Sequence, residues 1–146
     1  NGEDVSSEIR TPEIAYYASR VSAVPEVREF LLNTQRDMAK NGNILMDGRD
    51  IGTVILPDAP VKIFLTASAE SRAERRYKEL AEKGQQVTME SVLHDINERD
   101  RQDMNRAIAP LRQAEDAVLL DTSALTLEES IASVLRIIRE KTEENK

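Results

Sequence analysis

Two carboxylates flank one guanidinium in Asp47-Gly48-Arg49-Asp50, a loop that follows the apolar run Ile44-Leu45-Met46 and turns through Gly52. Ligands of parallel-sheet proteins bind in the crevice beyond the carboxyl ends of the strands, so a polar loop at such an end is a place to expect chemistry. Glycines on either side of the charged residues would let a bound group approach the backbone. Burying Arg49 and Asp50 unpaired would be costly, and exposing both beside glycines implies access, so the two read as functional. For Asp47 two readings stand. It contacts Mg²⁺ through water at a strand end, or it is an ordinary turn or capping aspartate.

Two further constellations carry charge at helical spacing. Arg99, Asp103 and Arg106 lie at i, i+4 and i+7, one face of a helix if the helix reaches Arg106. Two guanidiniums can grip phosphate or ring acceptors while the carboxylate between them accepts from a hydroxyl or amine. The plainer reading is a solvated helix face with an internal ion pair. Arg72, Arg75 and Arg76 fall at i, i+3 and i+4, and their like charges repel unless an anion or the nearby Glu74 and Glu79 compensate. Such a cluster suits a triphosphate or a phosphoryl-transfer transition state, whose charge is spread over several oxygens. An exposed charged helix is the alternative. The single histidine, His94, has no second imidazole to complete a typical zinc site and reads as a surface or partly buried structural residue. Tyr16 and Tyr17 read as packing residues, and Ser19 and Arg28 are unremarkable by spacing.

The elements that must position these residues follow from caps and periodicity. Thr11 caps a helix that opens at Pro12 and runs to about Ser22. Pro25 opens a second, with Val27, Phe30, Leu31, Thr34 and Met38 at helical spacing, a face expected to pack on a sheet, and Gly42 as a left-handed stop. Asn43 to Asp47, Val61 to Thr66 and Ala117 to Asp121 lack polar alternation and read as buried strands. Between them Ser68 caps a helix to about Lys83, closed by Gly84, and Met89, Val92, Leu93 and Ile96 mark another. Thr126 and Glu129 form a capping box for the last helix, whose stripe is Leu127, Ile131, Val134, Leu135 and Ile138 and whose charged end frays from about Lys141. Alternating strands and helices imply an α/β architecture with a parallel sheet. Three strands are few for a complete one.

Composition excludes several function classes. The 146 residues are 40% hydrophobic and 32% charged, as in a globular domain, and only 3% aromatic, which disfavours stacking on nucleobases. A formal charge of −7 opposes nonspecific attraction to nucleic acid or anionic membranes, so an anionic ligand must be met by local arginines. No cysteine is present, which removes disulfides, thiolate nucleophiles and thiolate metal sites and suits a reducing, cytoplasmic setting. No apolar run approaches the roughly 18 residues of a membrane-spanning helix.

In order along the chain, GEDVSSEIRTPEIAYYASRVS, PEVRE, DGRDIGTVILPDAPVKIFLTAS, ERRYKEL and ERDRQDMNRAIAPL closely resemble bacterial cytidylate kinases. The resemblance covers nearly the whole chain. It implies transfer of a phosphoryl group from ATP to CMP or dCMP with Mg²⁺, by a monomeric P-loop nucleoside monophosphate kinase with a mobile lid. By position, it implies that Arg28, Asp50 and Arg106 contact the cytosine, Ser19, Arg99 and Asp103 the pentose, and Arg49 the CMP phosphate. The helix of Arg72, Arg75 and Arg76 resembles the lid over the ATP phosphates, at about residues 69–87. Residues 1–22 would be the remainder of the CMP-binding insert and 23–146 the kinase core.

One departure is large. A P-loop needs G-x-x-x-x-G-K-[ST], whose amides and lysine cradle phosphates, and the sequence contains none. Because the family places that motif on its first strand and helix, the expectation is a carboxy-terminal portion of a longer kinase, with little or no activity alone. Two rivals remain: a non-catalytic module that binds cytidine nucleotides, and an acidic helical interaction protein with no nucleotide role.

Overall fold

The computed structural model describes residues 2–6, 8–40 and 42–144. The chain divides into two compact units, one of Asn1–Met46 with Arg106–Ile108 and one of Asp47–Asn105 with Ala109–Lys146.

The first unit is helical. A short 3-10 turn, Glu8–Arg10, leads into α1, Pro12–Val21. Thr11 is extended, and its Oγ1 accepts from the Ile14 amide at 3.3 Å, so the cap satisfies one of the amides that a helix start leaves orphaned. Glu13 in the first turn and Arg20 in the last suit the helix dipole. α2 runs Pro25–Lys40 with no buried residue, and Phe30 is 78% exposed, so the apolar spacing of this helix does not mark a buried face. Nor is Gly42 left-handed: the described residues with positive φ are Gly2, Gly84 and Ala109.

The second unit is α/β. Its strands are β1, Ile63–Thr66, and β2, Val118–Asp121, which pair in parallel with Ile63 opposite Val118 and Thr66 opposite Asp121. Between them come α3, Ala69–Glu82, and α4, Met89–Asn105; α5, Leu127–Glu144, follows β2. Ser68 caps α3 by accepting from the Ser71 amide, and Gly84 at φ +72° provides the left-handed residue that lets the chain leave α3. α3 and α4 then close on a small core of Ala73, Leu80 and Val92, flanked by Val87, Leu93 and Ile96. The capping box of α5 is reciprocal: the Thr126 amide donates to Glu129 Oε2 at 2.9 Å and the Glu129 amide to Thr126 Oγ1 at 3.2 Å.

Three further expectations about the elements are corrected. Residues 43–47 form no ladder, and Leu45 is 91% exposed; among the described residues the only sheet is β1 with β2, so this segment has no bonded neighbour that would make it a strand. α5 remains helical to Glu144 and turns a different face inward. Ile137 is buried and Val134 and Ile138 are half-buried, whereas Leu127, Ile131 and Leu135 lie outside at 71%, 51% and 46% exposure. The sheet is not covered on both faces either. Leu65 and Leu119 are both more than half exposed, and their registered neighbours put them on opposite faces.

Candidate nucleotide site

In the second unit, the loop before β1 and the end of α4 supply one charged cluster. Asp103, at 6% exposure, is among the described residues one of three buried polar ones, with Asp50 and Thr122. Its Oδ2 accepts from Arg49 Nε at 3.0 Å and lies 3.9 Å from Arg99 Nε, so one carboxylate sits between two guanidiniums from distant parts of the chain. Arg99 and Asp103 share a face because they are one helical turn apart on α4. The Asp103 carbonyl in turn accepts from the Leu111 amide at 2.8 Å, which ties the chain after α4 back to the helix end. One carboxylate thus serves two cations on a chain of formal charge −7, with the buried Asp50 next to Arg49 in sequence.

Asp50 opens an unusual turn. Residues Ile51–Ile55 form a single wide, π-helical turn: the Val54 and Ile55 amides donate to the Asp50 carbonyl at 2.9 and 3.3 Å, and the Leu56 amide to the Ile51 carbonyl at 2.7 Å. Such turns are rare and recur at functional sites. The flanking glycines have an internal reason, unlike the one their sequence suggests. A Cβ on Gly48 would fall 2.9 Å from the Ile51 side chain, and one on Gly52 would fall 3.2 Å from Lys62 Cδ. Protein side chains, not open space, occupy both positions. Asp47 is exposed, and among the described residues no cluster of three or more acidic or histidine side chains could hold a metal.

The α3 arginines do not converge. Arg72 makes a two-point bridge to Asp100 of α4, Nη1 to Oδ1 at 3.0 Å and Nη2 to Oδ2 at 2.6 Å, while its Nε donates to the Ala67 carbonyl at 2.9 Å. Arg75 turns to the end of β2 and donates to the Thr122 carbonyl at 2.5 Å. Arg76 pairs with Glu79 at 2.7 Å. Hydrogen bonds from Lys83 and then from Arg76 hold the Glu79 carboxyl down at about 2. Glu79 compensates as its spacing suggests, but the partner of Arg72 is Asp100 and not Glu74. Asp100 had a sequence signal: it continues, one turn on, the α4 stripe of Val92 and Ile96 that packs on α3.

The remaining candidates belong to the first unit. Ser19 is half-buried on α1, where its carbonyl accepts from Ser22 Oγ at 2.8 Å. Arg28 of α2 donates from Nη1 to the Ser22 carbonyl at 3.1 Å. Arg106 follows the last residue of α4, so it does not share the helical face of Arg99 and Asp103. Tyr16 and Tyr17 are each more than half exposed rather than packed inside. Their rings meet edge to face at 5.4 Å, and the Tyr16 hydroxyl accepts from Arg20 at 2.7 Å. His94 is exposed.

The buried Asp103 carboxylate and its two arginines thus stand on an α/β unit with a parallel strand pair. Comparison with known proteins gives the chain a family. The family model for cytidylate kinase matches residues 1–140. The chain is 55% identical over 141 residues to the cytidylate kinase of Thermosipho melanesiensis, covering 97% of this chain and 65% of that protein. It is 51% identical to that of Carboxydothermus hydrogenoformans, over 98% and 64%, and 54% identical to that of an Enterobacter species, over 96% and 62%. This chain belongs to the cytidylate kinase family. It spans a little under two thirds of the length of these relatives.

Proposed function

We propose that the chain forms the acceptor side of a P-loop nucleoside monophosphate kinase that moves the γ-phosphoryl group of ATP to CMP or dCMP, giving CDP or dCDP in pyrimidine nucleotide metabolism. The observation that carries this reading is the charge cluster of Arg49, Asp103 and Arg99 with Asp50 buried next to it in sequence. Arg49, 40% exposed at its side chain, holds the CMP phosphate; Arg99 and Asp103, with Ser19, meet the pentose. Asp50 accepts from the exocyclic amine of cytosine, which uracil replaces with a carbonyl, and Arg28 and Arg106 donate to the ring acceptors. A UMP carbonyl facing a buried carboxylate would leave two acceptors opposed, and that mismatch favours cytosine.

Arg72, Arg75 and Arg76 meet the ATP phosphates once their protein partners release them, on a lid of about residues 69–87. Catalysis needs no covalent nucleophile, only alignment of the CMP phosphate oxygen with the γ-phosphorus and neutralisation of the charge that develops. Mg²⁺ supplies part of that neutralisation when bound. The single exposed carboxylate of Asp47 fits a water-mediated contact to an ion whose other ligands are nucleotide phosphates and water. The substrates are small nucleotides, with neither nucleic acid nor membrane as partner, and the complete enzyme is a cytoplasmic monomer. Among the described residues no helix is long and apolar enough to cross a membrane.

The 146 residues contain no G-x-x-x-x-G-K-[ST] phosphate loop, which supports the reading that they bind the acceptor without turning it over. Calorimetry with CMP, dCMP and UMP, paired with a coupled ADP-release assay, tests both halves. Cytidine-selective binding with negligible turnover is expected. Equal binding of CMP and UMP would overturn the acceptor assignment, and robust CMP-dependent ADP release would overturn the inactivity of the chain alone.

A further inference from the structure

Lys62 is a cation to which neither the sequence reading nor the proposed chemistry gives a role. It immediately precedes β1, its side chain is only 9% exposed, and a lysine buried to that extent requires a partner. Nζ pairs with Asp116 at 2.6 Å and donates to the Pro57 carbonyl. The hydrogen bond from Nζ to Asp116 holds that exposed carboxyl below the usual carboxylate range. The Lys62 carbonyl accepts from the Val118 amide at 2.9 Å, so its backbone is fixed at the start of the parallel ladder. Its aliphatic stem fills the space beside Gly52, with Cδ and Cγ at 3.2 and 3.5 Å from where a Cβ would stand. Gly52 lies inside the wide turn whose amides converge on the Asp50 carbonyl.

We infer that Lys62 is a positioning residue for cytosine selection: it clamps the Gly52 turn to the start of the sheet and so fixes where Asp50 presents its carboxylate. The inference rests on the proposed role of Asp50. The ammonium has two anchors, the Pro57 carbonyl just past the turn and Asp116 just before β2, and the stem is the surface on which the turn rests. Loss of the anchors frees the stem, and the turn loses its floor. Gly52 is then the counterpart of Lys62, since any side chain there would displace the stem.

The test uses the full 146-residue chain in wild-type form and as Lys62→Met, Lys62→Arg, Asp116→Asn and Asp50→Ala, with two readouts. Amide exchange at Val54 and Ile55, compared with amides inside α5, reports on the turn; the ratio of UMP to CMP dissociation constants reports on selection. Lys62→Met is expected to speed exchange at Val54 and Ile55 by roughly 10-fold with α5 unchanged, and to shrink the cytidine preference by a similar factor while UMP affinity changes little. Lys62→Arg, which keeps the cation, should restore part of both. If Lys62→Met does not fold, Asp116→Asn, which takes the charge from one anchor and leaves the stem, should move both readouts in the same direction by a smaller factor. Exchange that rises equally in α5, or CMP and UMP affinities that fall by one common factor, would show a general stabilising role and overturn the inference. If Asp50→Ala leaves the preference unchanged, or the wild type has none, the cytosine role of Asp50 fails, and with it the selection part of the inference; exchange at Val54 and Ile55 then decides alone whether Lys62 sets the turn.

Discussion

The loop around Asp50 and the helix α3 each gather charge, but they distribute it in opposite ways. In the first, Arg49 and Arg99 turn toward one carboxylate, Asp103, and share it. In the second, Arg72, Arg75 and Arg76 sit side by side on a helix, yet each goes to its own partner: Asp100, the Thr122 carbonyl and Glu79. Three neighbouring like charges are held without a shared anion because protein acceptors are spread around them. The difference teaches that arginine spacing alone does not define an anion site. A cluster becomes one where partners are fewer than cations.

The comparison breaks first if the Asp50 side proves indifferent to ligand. Asp50→Ala is expected to weaken CMP binding roughly 10- to 100-fold, the worth of a hydrogen bond to a charged group, with a smaller change for UMP, by calorimetry. Equal losses for both nucleotides would make the carboxylate a structural one. Next, Asp103→Ala leaves Arg49 and Arg99 facing each other without their anion, and should lower unfolding stability by about 2 kcal/mol in urea titration, an effect that added phosphate partly reverses. A variant as stable as wild type would show that the two guanidiniums do not depend on it.

On α3, the coupling of Arg72 with Asp100 measured by a double-mutant cycle should be about 1 kcal/mol, since both side chains keep roughly a quarter to a third of their exposure and water screens the pair. No coupling would leave α3 without its main polar tie to α4. The smallest effect concerns Glu79. Its carboxyl titrates at about 2 in the folded chain, depressed from 4.5, so its contribution to stability is complete above about pH 4.5 and is lost as pH falls through about 2. In Arg76→Ala, carboxyl resonances should show Glu79 moving partway back up, with Lys83 still holding it down; an unmoved titration would assign the whole effect to Lys83.

Local signals were the legible ones. Thr11, Ser68, Gly84 and the Thr126–Glu129 box each act within a few residues, so the helix ends they mark appear where the sequence places them. What depended on distant chain was not legible. Arg72 finds Asp100 across 28 positions and Arg75 finds Thr122 across 47. Residues 43–47 have a strand's composition, but a strand exists only with a bonded neighbour. α5 carries apolar residues around much of its surface, and periodicity could not decide which face turns inward. Of the site, residue types and the pairing of Arg99 with Asp103 were readable; the third member, Arg49, lies 54 positions from Asp103. Lys62 was hidden because a lysine beside an apolar run reads as an ordinary strand edge until its stem is seen under Gly52.

The parallel pairing of β1 with β2 has a consequence for the order in which the chain is assembled. The two strands enclose the whole α3–α4 hairpin between them, and closing so long a loop is entropically unrewarded until the hairpin has condensed. α3 and α4 are sequence neighbours and can meet early; the bond from Val118 to Lys62 comes late. During synthesis the loop around Asp50, though made before α3 and α4, must therefore wait for β2 to leave the ribosome. Nascent chains stopped before Val118 are expected to protect amides of α3 and α4 while Val54 and Ile55 still exchange freely.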